Sequence, residues 1–195
     1  MELLPELMKI ILTISNSLLY PVMILLVIFV ALSFLFVGEL LSEYSRRSNN
    51  LNKKFKGGHL SNFYKEINEL LVTYKNDEKR LTVEIERVLQ EYELKIAKKL
   101  EKTRLLIRLG PILGLMGTLI PLGPALLGLS TGNIEQLANN LVIAFTSTVV
   151  GLLIGSVSMV VTTIRQRWYT EDLNDMEYIA EIMLMENEKK DGIHA

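Results

Sequence analysis

The stretch LGPILGLMGTLIPLGPALLGLSTGNI, residues 109–134, has no charged side chain in 26 positions and carries Gly110, Gly114, Gly117, Pro121, Pro124 and Gly128 at spacings of 4, 3, 4, 3 and 4. At helical pitch those six positions share one face. In water such a helix would lose about 1 kcal/mol per glycine and about 3 per proline, whereas a membrane tolerates both. A face without bulky side chains lets another helix approach closely, so the stretch reads as an intramembrane packing surface or a pore wall.

Two more uncharged runs flank it, residues 10–38 and 136–164. Each exceeds the ~20 residues that cross a hydrocarbon core of about 30 Å. The expected fold is therefore all-α: an integral membrane protein with transmembrane helices at 17–41, 105–130 and 137–164. Glu2 and Glu6 precede the first run where a signal peptide would be basic, so it reads as a permanent span. Residues 1–16 are expected to form an amphipathic segment on the outer leaflet, with Leu3, Leu7, Met8 and Ile11 on one side.

Of the 21 Lys and Arg, sixteen lie between Arg46 and Arg108 and four follow Ile164. The positive-inside rule then gives an outside N-terminus, a cytoplasmic segment at 42–104, a short outer turn near Glu135, and a cytoplasmic helix and tail at 165–195. The expected location is the cell membrane. Within the cytoplasmic part, residues 46–65 read as a linker or short broken helix, with Asn, Ser, Lys and Gly57-Gly58. From Phe63 to Arg108 the period is helical, with Leu71, Tyr74, Leu81, Ile85, Val88, Tyr92, Ile96 and Leu100 in a stripe. Span two should therefore run on as a long helix. The tail, with Leu173, Met176, Ile179, Ala180 and Met183 apolar, is expected to pack against it and to fade after Asn187.

Span three repeats the small-residue stripe: Ala144, Thr148, Gly151, Gly155, Ser158 and Thr162, again spaced 4, 3, 4, 3 and 4. Two such stripes could pack on each other in a lone bundle, or on other chains. Thr118 on span two and Thr146, Ser147 and Thr148 on span three suggest a shared polar lining. No Asp, Glu, His, Lys or Arg lies inside the three uncharged runs, 10–38, 109–134 and 136–164. Buried ionisable groups mark proton pathways, so a conducting protein of this kind would need a carboxylate from another chain.

Other chemistries lack support. The chain has no cysteine, which excludes disulfides and Cys-ligated metals, and His59 and His194 show no ligand spacing. The Lys and Arg of residues 75–108 interleave with Glu as on a solvated, salt-bridged helix, not a nucleic-acid surface. No enzyme motif, cofactor or metal is expected.

The pair GPILGLMGTLIPLGPAL and LVIAFTSTVVGLLIGSV resembles the MotA/TolQ/ExbB proton-channel family, in its three-span ExbB/TolQ-like branch. The wording of the first segment suggests a prokaryotic branch, archaea included. The resemblance makes Thr118 of GLMGT and Thr148 of TVVG the polar threonines of spans two and three. It implies a homopentameric ring around an ExbD/TolR/MotB-like single-span partner whose aspartate carries protons, as in a stator or energiser driven by the proton motive force. Ile143 stands where ExbB-like members carry a glutamate, so the expected pore has less charge. A non-conducting oligomeric scaffold in the lipid is the alternative.

Overall fold

The structure, a computed structural model, describes residues 3–49, 58–74 and 77–192. Every element among them is an α-helix: α1 Leu3–Asn49, α2 Gly58–Thr73, α3 Glu78–Ser130 and α4 Ile134–Gly192. Three of these, α1, α3 and α4, contain stretches long and apolar enough to cross a membrane. This is an all-α, multi-pass membrane protein.

Each long helix continues without a break through its apolar stretch into charged sequence. α3 has 53 residues and α4 has 59, so at about 1.5 Å per residue each runs some 80 Å or more. α3 does so despite Pro111, Pro121 and Pro124. Each proline removes one backbone donor, a loss that packing can offset in a helix embedded in lipid. The charged sequence before α3 is not one helix, as its period suggested: α2 ends at Thr73 and α3 starts at Glu78. The reason is local. Asp77 precedes α3, its Oδ1 accepts the Arg80 N–H at 3.2 Å, and its carbonyl accepts the Leu81 N–H at 2.9 Å. That N-cap starts a new helix at Glu78. At the other end α4 remains helical to Gly192, beyond Asn187. Residues 46–49 and 58–65 are also helical, while 50–57 and His194 lie outside the described residues, as does the His59 side chain.

The chain divides into two compact units, one of residues 1–38 and 102–161, the other of 39–101 and 162–195. In the first, Val22 and Leu26 of α1, Leu106, Leu113 and Ile120 of α3, and Ile154 of α4 make the core. The remainder of α1 there is largely exposed, including Ile24, Val27, Phe34 and Leu35, as befits a helix whose apolar residues point all round. In the second unit α2, α3 and α4 form a bundle. Leu60, Phe63 and Ile67 meet Leu81, Ile85, Val88 and Tyr92, and Met176 and Ala180 close the core. Phe63 and Tyr92 pack edge to face with centroids 5.5 Å apart.

Candidate functional site

The small-residue stripes of α3 and α4 lock together within the chain. A Cβ added at Gly151 would stand 2.6 Å from both the Gly110 carbonyl oxygen and the Gly114 Cα, and one at Gly114 would stand 3.1 Å from the Gly151 Cα. One at Gly155 would meet Pro111 Cγ at 2.9 Å, and one at Gly117 would meet Ser147 Cβ at 2.6 Å. Backbone thus lies on backbone along most of the hairpin. Of the two packings that the stripes allow, the structure shows the one within the chain: Gly110, Gly114, Gly117, Gly151 and Gly155 spend their missing side chains on the helix next to them. Pro121 is fully buried, and Pro124 is half-buried.

The hairpin closes on a glycine-terminated turn. Gly132 has φ +74°, its N–H donates to the Leu129 carbonyl at 3.1 Å, and the Asn133 N–H donates to the Gly128 carbonyl at 2.8 Å. Only a residue without Cβ takes that conformation at no cost, and the two bonds satisfy carbonyls orphaned at the end of α3. Asn133 then caps α4 by accepting the Gln136 N–H at 3.0 Å. Gly128 sits against this corner, where a Cβ would meet Gln136 Cβ at 3.1 Å.

The four hydroxyls singled out from sequence do not share one surface. Ser147 is buried at 2% exposure against Gly117, and its Oγ donates back to the carbonyls of Ile143 and Ala144. Thr146 is exposed one residue earlier, since consecutive helical residues point about 100° apart. Thr118 and Thr148 are half-buried on the two paired helices. Thr118 donates to the Leu115 carbonyl at 2.6 Å and Thr148 to the Ala144 carbonyl at 3.3 Å. Each hydroxyl, its proton given to its own helix, keeps acceptor lone pairs for another group.

The second unit holds a group of side chains that sequence reasoning missed. Glu39, Glu43 and Arg47 of α1 face Arg165, Tyr169 and Asp172 of α4. Arg165 bonds Glu39 at 3.0 Å and approaches Glu43 at 3.6 Å, the Tyr169 hydroxyl donates to Glu43 at 3.4 Å, and Arg47 grips Asp172 with both nitrogens. The sequence offsets of these pairs are 126, 126 and 125, so the two helices run parallel in fixed register. Asp172 is 4% exposed and Arg165 is 6% exposed. Trp168 stacks on Tyr44 and lies under the Arg47 guanidinium. Opposite charges at the matching positions 39, 43, 47 and 165, 172 were the available signal, but it appears only once the helices are known to be neighbours.

Burial, followed by the Glu43 charge, pushes the Tyr169 hydroxyl up to about 12; burial and then Glu66 do the same to Tyr92. A tyrosine whose folded value is raised contributes its full stabilisation below pH 10 and loses it as pH climbs from 10 toward 12. Thermal midpoints in detergent should therefore fall across that window. A Tyr92→Phe, Tyr169→Phe double variant should flatten the fall; an unchanged slope would contradict this.

A model of the MotA/TolQ/ExbB proton channel family matches residues 58–178, well over half of the 195-residue chain. The chain belongs to that family. No curated protein matches it. As a family member it is a proton-channel-type membrane subunit, and the family is one of channels and energisers rather than enzymes. The matched region takes in α2, α3 and most of α4, which includes both threonines and the whole glycine-packed hairpin.

Proposed function

We propose that this chain is the ring-forming subunit of a motor or energiser driven by the proton motive force, with Thr118 and Thr148 lining the proton path. One observation carries the reading: residues 109–134 and 136–164 contain no ionisable group, yet they form a closely packed hairpin with two half-buried hydroxyls. Such a wall can accept a hydrogen bond from a protonated carboxyl, or donate to the carboxylate once a hydroxyl releases the bond to its own helix, but cannot carry a proton itself. The acid therefore comes from a single-span partner bearing an aspartate, as the family resemblance implies, and a pentamer surrounds it. The distribution of Lys and Arg supports an outside N-terminus and cytoplasmic placement of the charged helices in the cell membrane. Thr146, exposed beside this hairpin, remains a further candidate for the lining. Ser147 contributes chiefly by seating Gly117.

The test uses vesicles carrying the chain together with its single-span partner, with an internal pH-sensitive dye. Thr148→Val keeps the shape and removes the hydroxyl. Proton flux should fall about tenfold or more, as expected for losing a hydrogen bond to a charged group worth about 1.5–3 kcal/mol. Subunit stoichiometry should be unchanged. Full flux in both Thr148→Val and Thr118→Val would support the non-conducting scaffold instead.

A further inference from the structure

Two of the uncharged runs end together. Glu39 and Arg165 are the first charged residues after residues 10–38 and 136–164, and they bond each other at 3.0 Å, so both runs stop at one level. Just past that level α1 and α4 present a pair of aromatic rings. Tyr44 and Trp168 stack with centroids 6.2 Å apart and 25° between their planes, and the Arg47 guanidinium lies 5.2 Å from the Trp168 centroid. Arg47 is itself held by Asp172, which fixes the base of the stack.

Each ring keeps an unused donor. Among the described residues nothing accepts a hydrogen bond from the Tyr44 hydroxyl or the Trp168 indole N–H. Tyr44 is 61% exposed and Trp168 is half-buried, so both donors are within reach of a molecule from outside. Their depth fits the polar layer of a bilayer. Trp168 stands four residues past Ile164 and Tyr44 six past Gly38, about 6 and 9 Å at helical rise. That layer adds about 5–8 Å to each side of the hydrocarbon core. Below the rings the exposed side chains are apolar: Leu41, Phe34 and Val27 at intervals of seven on α1, and Val160 on α4. The same row of α1 reaches exposed Tyr20, 24 residues or about 36 Å from Tyr44, so tyrosines mark both ends of a face of bilayer thickness.

We propose that Tyr44 and Trp168 form a headgroup site for a membrane glycerophospholipid. The indole N–H and the phenol O–H donate to its phosphate or ester oxygens, and its acyl chains lie along Leu41 and Phe34. Charge does not select the lipid. Segments 39–47 and 165–172 carry four acids and four bases, and Lys99 lies over Tyr169, about 100° round α4 from Trp168. The oxygens that the two donors meet are common to neutral and anionic headgroups.

Trp168 is the only tryptophan in the chain, so its emission reports on this site alone. The full chain is reconstituted in phosphatidylcholine vesicles carrying a quencher on the headgroup, near the top of the acyl chain or near its end. Quenching should be strongest from the two shallow positions and weak from the deep one and from aqueous iodide. In detergent, added phosphatidylcholine should shift the emission saturably, with phosphatidylglycerol titrating alike at low and high salt. Tyr44→Phe keeps the stack and should raise the half-saturating lipid about fivefold, as expected for one lost hydrogen bond. Strong quenching by iodide alone would place the rings in water, and quenching by no reagent would show that protein covers them; either result overturns the site. So would a response confined to phosphatidylglycerol and lost in salt, or an unchanged midpoint in Tyr44→Phe.

Discussion

Gly151→Leu should unfold the α3–α4 hairpin while leaving the chain inserted in the membrane. The added Cβ alone would stand 2.6 Å from the Gly110 oxygen and the Gly114 Cα, and neither is a side-chain tip that can swing aside. Helix α3 would have to move outward, separating Gly110, Gly114 and Pro111 from their seats on α4. Overpacking with some relief costs about 1–3 kcal/mol, so with none the loss should reach at least the upper end. Leucine is more apolar than glycine, so insertion itself should not suffer. The measurement is thermal unfolding in detergent alongside a membrane-fractionation assay. Gly38→Ala is the control: nothing lies within 4 Å of its would-be Cβ, and alanine in a helix should gain about 0.5–1 kcal/mol. A Gly151→Leu protein that melts with the parent would overturn the account of the stripe as a helix contact.

Asp172→Leu should be nearly as damaging, for an electrostatic reason. The Asp172 carboxylate is 5% exposed in its pair with Arg47, whose side chain is 18% exposed. Removing one member of a buried pair strands the other charge, at about 3–5 kcal/mol. Glu43 lies 3.9 Å from Arg47 and can take up part of that charge, which places the expected loss near the lower figure. Replacing both, as Arg47→Met with Asp172→Leu, removes the stranded charge and should recover most of the stability. Equal damage from the single and double variants would show that the site acts through packing of Trp168 rather than through charge.

Much of the architecture was legible before any coordinates, because the membrane imposes strict rules on sequence. Three uncharged runs give three spanning helices, and the apolar stripe from Leu81 to Leu100 forms one buried side of the second unit. The break at Asp77 was missed because Tyr74 and Leu81 keep helical phase across it, and periodicity alone cannot see a cap. Of the candidate site, the hydroxyls were found, but their separation was not. Thr146, Ser147 and Thr148 are adjacent in sequence and point in three directions, so one is exposed, one buried and one half-buried. The ionic group of Glu39, Glu43, Arg47, Arg165 and Asp172 was invisible, since its members lie more than 120 residues apart.

What the sequence determined by itself is therefore what depends on one helix at a time: the number of spans, the faces with small residues, the absence of any acid within the three uncharged runs. The partner of each face was decided only in three dimensions. A glycine stripe states that a backbone can come close, but not whose backbone; here the tight Gly128–Asn133 turn folds α4 back along α3, so the neighbour available at once in the same chain fills the face. The threonines beside that seam are left half-covered, and it is on their position, not on the stripe, that the proposed proton path rests.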